Sequence, residues 1–126
     1  MKVLLADDDR VFVEHVSTRL REKGHSVTVA VDAMQAFMFA MKNLPDVIML
    51  DINMPGGTGS DVLKRLKLSA KTSHIPVVVV SSEQDPALDG HVQKLGASRF
   101  LRKPLRFDAL YEALGQSLPE PARPPR

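Results

Sequence analysis

The chain has 126 residues, of which 44% are hydrophobic, and its formal net charge is +2. This length is typical of a single domain with its own hydrophobic core. The chain has no cysteine, which excludes disulfides and thiolate metal ligands within it. No apolar stretch reaches the roughly 20 residues that cross a bilayer, and residues 1–7 lack the layout of a signal peptide. Scattered basic residues without tryptophan predict no nucleic-acid surface. We therefore expect a cytoplasmic protein that binds neither membranes nor nucleic acid directly.

Short apolar runs alternate with helix-like segments along the chain. This alternation predicts right-handed βαβ crossovers, a parallel sheet and helices on both of its faces. The fold class is therefore α/β, with a doubly wound five-stranded parallel sheet and five helices on two faces. Strands are predicted over residues 2–7, 26–30, 46–51, 76–81 and 98–102. Helices are predicted over residues 10–23, 33–43, 58–70, 86–95 and 106–117.

The two ends of this pattern define the domain organisation. Residues 1–118 are predicted to form one domain, because the alternation of strands and helices runs through them without a break. Residues 119–126 contain four of the nine prolines and cannot continue a helix. We expect this segment to be a mobile tail or the start of a linker.

The second predicted helix is unusually apolar, because methionine, phenylalanine and alanine occupy nearly every face of residues 33–41. A helix at the surface normally keeps one polar face. Two explanations stay open: the helix is buried deeply against the sheet, with methionines filling gaps, or Met34, Met38 and Phe39 form a patch that binds a partner.

Several apolar runs end in a residue that carries chemistry. The residues are Asp7 and Asp8 after the first strand, Asp51 after the third, Ser81 after the fourth and Lys103 after the fifth. In an open parallel sheet, ligands bind beyond the carboxyl ends of the strands. Three carboxylates, a hydroxyl and an ammonium are therefore predicted to share one edge of the sheet, a set that suits a divalent cation and a phosphoryl group.

The chemistry of this set can be predicted residue by residue. Magnesium prefers oxygen ligands and keeps several waters, so Asp8 and Asp51 are candidates for direct ligands, with Asp7 holding a coordinated water. An aspartate in the position of Asp51 is also a candidate nucleophile toward phosphorus, which gives an aspartyl phosphate. Lys103 is predicted to contact the phosphoryl group as a point charge, and Ser81 to donate a hydrogen bond to it.

Each of these residues also has an ordinary structural explanation. Acidic residues and serines after a strand commonly cap the next helix, and an isolated aspartate there is often a turn residue. A lysine before a proline, such as Lys103, is commonly just solvated. The joint pattern favours a site, because the polar positions end neighbouring strands of one predicted sheet.

The motifs together resemble those of bacterial response-regulator receiver domains, in particular the single-domain chemotaxis type. The resemblance extends over about residues 2–118, and it implies the strand order 2-1-3-4-5. It is carried by the acidic cluster at residues 6–9, by residues 50–55 followed by Gly59, and by residues 80–82, 96–100 and 103–104.

The resemblance implies a phosphoryl-transfer role for the predicted site. Asp51 would accept a phosphoryl group from a histidine kinase or a histidine phosphotransfer protein. Asp8, Asp51 and the main-chain carbonyl of Asn53 would bind Mg²⁺ (or Mn²⁺), and Asp7 would act through water.

The resemblance also implies a switch. Ser81 would move toward the phosphoryl group, Phe100 would rotate into the released space, and Lys103 would pair with the phosphoryl group. The peptide bond between Lys103 and Pro104 would be cis. The surface that changes would comprise the fourth helix, fifth strand and fifth helix, which is also a candidate homodimer surface. The downstream partner is left open.

Three positions depart from the commonest family pattern or vary within it. Ser81 stands where threonine is more frequent, so its coupling to Phe100 is expected to be looser. Asn53 and Glu83 occupy variable positions that flank the site. They are expected to touch the attacking water or the metal, and so to tune dephosphorylation.

Two other function classes compete with the switch. Hydrolases and phosphatases that form an aspartyl phosphate typically need a second aspartate two residues after the nucleophile, where this chain has Asn53. A scaffold receiver that no longer uses phosphate would not need the complete set of acids, hydroxyl and lysine. We therefore expect a phosphoacceptor that assists its own phosphorylation and dephosphorylation, and not a turnover enzyme.

Overall fold

A computed structural model describes residues 1–117, which form five helices and seven strands. All ten predicted elements are present, and their ends differ from the prediction by at most two residues. In chain order the elements are β1 (Lys2–Ala6), α1 (Arg10–Glu22), β2 (Ser26–Ala30), α2 (Ala33–Asn43), β3 (Val47–Asp51), β4 (Asn53–Met54), β5 (Gly57–Thr58), α3 (Gly59–Leu68), β6 (Val77–Ser81), α4 (Ala87–Lys94), β7 (Arg99–Arg102) and α5 (Phe107–Ser117).

Five of the strands form one sheet in the order β2-β1-β3-β6-β7, and every neighbouring pair is parallel. With β6 and β7 as the fourth and fifth predicted strands, this confirms the α/β class and the order 2-1-3-4-5. The structure also contains β4 and β5, a two-stranded antiparallel hairpin between β3 and α3 that the sequence pattern did not predict. Its strands of two residues are too short to give a period-2 pattern.

The sheet separates two hydrophobic cores. One core packs α2, α3 and α4 against one face, and the other packs α1 and α5 against the opposite face. The central strands β3 and β6 are buried at all five of their positions. Burial on both faces explains why these strands are continuous apolar runs in the sequence.

Side-chain caps begin three of the helices. Asp9 accepts hydrogen bonds from the main-chain N–H groups of Val11 and Phe12, at 3.1 and 3.2 Å. Asp32 accepts from the N–H of Gln35 at 2.8 Å, and the Thr58 hydroxyl oxygen accepts from the N–H of Asp61. Asp9 is therefore engaged in starting α1, which leaves Asp7 and Asp8 for other contacts.

Helix α2 packs on the sheet through alanines and exposes methionines. Ala33, Ala36 and Ala40 are buried, whereas Met34 and Met38 are 70% and 55% exposed. The first explanation, a deeply buried helix whose methionines fill gaps, is therefore wrong for these two methionines. The partner-binding patch stays a prediction.

Residue 118 and the proline-rich segment 119–126 lie outside the described residues, so the predicted end of the domain and the tail remain predictions. Within residues 1–117, no helix combines the length and apolar composition that a transmembrane span requires.

Candidate functional site

The carboxyl ends of four neighbouring strands bring the predicted side chains to one edge of the sheet. Strand β3 lies between β1 and β6, and β7 pairs with β6 so that Arg102 lies opposite Ser81. Asp7 follows β1, Asp51 is the last residue of β3, and Lys103 follows β7. The parallel topology therefore explains why residues far apart in the sequence meet here.

Three carboxylates form a compact acidic cluster. One oxygen from each of Asp7, Asp8 and Asp51 lies within 4.8 Å of the others. Asp7 and Asp51 are only 1% and 7% exposed, whereas Asp8 is exposed. Carboxylates this close repel one another when ionised, and water screens the two buried ones poorly. The cluster therefore favours a bound cation or a retained proton.

The acidity of Asp51 reflects this crowding. The pKa of the Asp51 carboxyl is raised from 3.8 to about 6, mainly by burial, then by the nearby Asp7 carboxylate, with a smaller contribution from Asp8. The N–H of Asn53, which donates to Asp51 Oδ1 at 3.2 Å, and the charge of Lys103 both oppose this pKa rise. Additional positive charge at the cluster would stabilise the ionised form of Asp51.

Lys103 supplies the positive charge of the site. Its Nζ lies 2.8 Å from Asp7 Oδ2, a buried oxygen that has no well-aligned hydrogen bond. The same Nζ lies 4.2 Å from the centroid of the Phe12 ring, a cation–π contact. The bond between Lys103 and Pro104 is cis, as predicted. Lys103 is thus held between a carboxylate and an aromatic face at the edge of the acidic cluster.

Ser81 lies buried at the end of β6 and is tied to the loop that follows it. Its Oγ accepts a hydrogen bond from the N–H of Glu83 at 3.0 Å, and its carbonyl accepts from the N–H of Lys103 at 2.8 Å. Phe100 is half-buried and packs against the core that contains α4. The two predicted switch residues therefore lie near α4: Ser81 contacts the loop before this helix, and Phe100 packs against the core that contains it.

The two residues predicted to tune the site contact each other. Asn53 Nδ2 donates to Glu83 Oε1 at 2.8 Å, and both side chains are exposed. This hydrogen bond connects the segment after β3 with the segment after β6, because it joins residues 30 positions apart. It therefore links the two loops that border Asp51 and Ser81.

Sequence reasoning missed Phe12 and Arg102. Phe12 reads only as part of the apolar stripe of α1, and its contact with Lys103 depends on the position of a distant strand. Arg102 reads as a charged residue in a strand, although its guanidinium donates to the carbonyls of Glu83 and Asp85. No local pattern could have identified either contact.

The donor set at this edge fits a hard divalent cation. The three clustered ligand atoms are all carboxylate oxygens, which Mg²⁺ and Mn²⁺ prefer over nitrogen or sulfur. The buried Asp7 Oδ2 has an unused hydrogen-bonding position, which a metal-bound water would satisfy.

Comparison with known proteins agrees with this geometry. The family model of the response regulator receiver domain matches residues 3–115. The response regulator PleD of Caulobacter vibrioides is 37% identical over 109 residues, which make up 82% of this chain and 23% of PleD. Protein PilH of Pseudomonas aeruginosa is 28% identical over 93% of this chain and 97% of its own length. This chain therefore spans about a quarter of PleD but nearly all of PilH.

Solved structures show the same architecture. The chemotaxis response regulator CheY4 of Vibrio cholerae is 31% identical, with a TM-score of 0.86 over 93% of this chain and 98% of that one. The receiver domain of the sensor histidine kinase PA1611 of Pseudomonas aeruginosa, solved with magnesium coordinated in its active-site cleft, has a TM-score of 0.81. It covers 92% of this chain and 95% of that one, and at 24% identity it supports the fold alone. The chain belongs to the response regulator receiver domain family, whose members act as phosphorylation-controlled signalling switches.

Proposed function

We propose that Asp51 is the phosphoacceptor of this receiver domain and that the acidic cluster binds the divalent cation the reaction needs. The observation that carries the proposal is the convergence of Asp7, Asp8 and Asp51 within 4.8 Å, beside the ammonium of Lys103. Receiver domains are signalling modules and not turnover enzymes. A histidine kinase or histidine phosphotransfer protein is the phosphodonor in this proposal, and the cytoplasm is the compartment.

The proposed ligands are the carboxylates of Asp8 and Asp51 and the main-chain carbonyl of Asn53, with Asp7 acting through a water. Mg²⁺ is the expected ion and Mn²⁺ the alternative, because both take oxygen ligands. When bound, the ion offsets the electrostatic repulsion between the Asp51 carboxylate and the incoming phosphoryl oxygens. The closeness of the three carboxylates supports this assignment.

Phosphoryl transfer then needs little further chemistry from the protein. An oxygen of the ionised Asp51 attacks phosphorus, the P–N bond of the phosphohistidine breaks, and the leaving imidazole retains the electron pair. Lys103 pairs with one phosphoryl oxygen, for which it exchanges part of its contact with Asp7. The Ser81 hydroxyl donates to another, while its oxygen can still accept from the N–H of Glu83. The domain thus assists its own phosphorylation.

The output follows from the contacts around Ser81. A phosphoryl group adds about one negative charge and strong acceptors at Asp51, which draws Ser81 and the loop after it toward the site. Phe100 then rotates into the space beneath α4. The face formed by α4, β7 and α5 therefore changes, and it is our candidate for a downstream partner or a homodimer.

Asn53 and Glu83 are proposed to set how long the phosphoryl group persists. Their hydrogen bond connects the segments that follow β3 and β6, the path by which water would approach Asp51. The identity of residue 53 argues against a hydrolase, because the amide of Asn53 cannot act as a general acid in the position where such enzymes carry an aspartate. A scaffold without phosphate chemistry is also disfavoured, because the acids, hydroxyl and lysine are all present.

Intact-mass spectrometry after incubation with Mg²⁺ and a small acyl phosphate tests the proposal. Wild type is expected to gain the mass of one phosphoryl group, and Asp51→Asn is expected to gain none. Asp108→Asn serves as the matched control, because Asp108 is 69% exposed in its ion pair with Arg106, and it should behave as wild type. Uptake by Asp51→Asn, or full uptake without a divalent cation, would refute the assignment.

A further inference from the structure

One arginine connects the two moving parts of the proposed switch. Arg102 donates from one guanidinium nitrogen to the carbonyl of Glu83 and from the other to the carbonyl of Asp85, at 3.2 Å. Its Cζ also lies 5.1 Å from the centroid of the Phe100 ring. A single side chain therefore contacts both the loop after Ser81 and the aromatic residue that responds to it.

Groups around the site contact the loop at residues 82–86 from two sides. The N–H of Glu83 donates to Ser81 Oγ, and the carboxylate of Glu83 accepts from Asn53. Arg102 fixes the outer side of the same loop through two main-chain carbonyls. Arg102 lies opposite Ser81 in the β6–β7 pairing. Its side chain therefore extends from the strand next to the one that carries Ser81.

We propose that Arg102 is a positioning residue that holds the loop at residues 82–86 and the Phe100 ring in the resting arrangement. The proposal deepens the proposed function and rests on it. When Ser81 moves toward a phosphoryl oxygen, the carbonyls of Glu83 and Asp85 move with the loop. When Phe100 rotates, its ring leaves the guanidinium. Both changes break contacts of the same side chain, so Arg102 opposes the loop movement and the Phe100 rotation. Because one change releases Arg102, the other becomes easier, which couples the two.

The shape of the guanidinium is essential to this role. Its planar fork reaches two carbonyls at once while one face covers an aromatic ring. A lysine offers one compact charge and cannot make the same three contacts together. Arg102→Lys should therefore resemble Arg102→Ala, although it preserves the charge next to the site.

Hydrogen exchange of the unphosphorylated, metal-free protein tests the restraint itself. In Arg102→Ala and Arg102→Lys, the main-chain amides of residues 82–85, which include the Glu83 N–H that donates to Ser81 Oγ, should exchange faster than in wild type. The expected factor is about three- to tenfold for two solvated hydrogen bonds from a charged donor. Arg99→Ala is the matched control, because Arg99 is exposed on the same strand, and it should exchange as wild type. Unchanged amide exchange at residues 82–85 in Arg102→Ala overturns the proposal. Faster exchange over the whole chain overturns it too, because that pattern indicates lost fold stability.

The rate of phosphoryl uptake from an acyl phosphate tests the link to the switch. Arg102→Ala should take up the phosphoryl group about three- to tenfold faster than wild type. The reason is that fewer contacts then hold the loop at residues 82–86 in its resting arrangement. In Phe100→Leu, which lacks the ring, the Arg102→Ala substitution should accelerate uptake less. Equal acceleration in both backgrounds, or none in either, overturns the coupling. If wild type takes up no phosphoryl group, the proposed function fails, and the exchange experiment still decides whether Arg102 holds the loop.

Discussion

At the residue scale, three consecutive aspartates perform three different tasks. Asp9 caps α1, Asp7 is buried against the ammonium of Lys103, and Asp8 is the exposed member of the acidic cluster. Asp7 also accepts from the N–H of Asp9 at 2.9 Å, which fixes its orientation. The backbone turn at the end of β1 therefore separates a structural acid from the two that face Asp51.

Asp51 should make the stability of the metal-free protein fall as pH rises. Its pKa is about 6 in the folded chain against 3.8 in the unfolded reference, so the folded state binds more protons between these values and loses stability through this window. At pH 7 without metal, Asp51→Asn should be more stable than wild type by about 1 to 3 kcal/mol. Near pH 4 the difference should shrink, because wild-type Asp51 is then largely protonated. Urea unfolding at the two pH values measures this.

The control for this prediction is the cation. Mg²⁺ stabilises the ionised cluster, so it should raise the stability of wild type at pH 7 and reduce the advantage of Asp51→Asn. An Asp51→Asn variant that is less stable than wild type at pH 7 without metal would show that the carboxylate is not destabilised by its surroundings.

At the element scale, the start of α3 lies unusually close to the site. The N–H of Gly59 donates to the carbonyl of Ile52 at 2.8 Å. A Cβ at Gly59 would lie 2.5 Å from the carbonyl oxygen of Asp51 and 2.5 Å from Cα of Ile52. Helix α3 can therefore approach the end of β3 this closely only because residue 59 has no side chain.

Gly59→Ala should destabilise the fold and displace Asp51, because backbone atoms must move to admit the methyl group. We expect a loss of about 2 kcal/mol or more in the free energy of unfolding, together with weaker Mg²⁺ binding by calorimetry. Gly90→Ala is the matched control within α4, where an added Cβ meets nothing within 4 Å. It should stabilise the protein by about 0.5–1 kcal/mol. Equal effects of the two substitutions would contradict the account of this close approach.

Most of the secondary-structure elements could be predicted from the sequence. The five sheet strands were predictable because strands such as β3 and β6 are buried on both faces and read as apolar runs. The meeting of Asp7, Asp51 and Lys103 was predictable because parallel strands align their carboxyl ends. The order of the strands came from the resemblance, since alternation alone does not specify which strands are neighbours.

Other features could not be predicted, for physical reasons. The hairpin of β4 and β5 depends on backbone pairing between Asn53 and Thr58, which leaves no side-chain pattern. The exposure of Met34 and Met38 depends on how close α2 lies to the sheet, a distance that its buried alanines determine. The contacts of Arg102 join a strand to a loop 17 and 19 residues away, so they exist only in the folded chain.

At the scale of the whole molecule, the proposed phosphorylation site and the helices proposed to respond to it lie at different parts of the sheet. The acidic cluster lies at one edge, the core on one face contains α4 and Phe100, and the core on the other contains α1 and α5. Both cores are anchored on β3 and β6, which are buried throughout. In the proposed function, a sheet whose central strands are buried on both faces confines the response to the loops and to the face formed by α4, β7 and α5.

Chemical mapping of the phosphorylated residue is the most direct test of whether Asp51 is the phosphoacceptor. Borohydride reduces an aspartyl phosphate to homoserine, so the protein is incubated with Mg²⁺ and an acyl phosphate, reduced, digested and sequenced by tandem mass spectrometry. We predict homoserine at position 51 and at no other aspartate, and none when the divalent cation is removed. Homoserine at another position, or a phosphorylated protein with an unmodified Asp51, would contradict it.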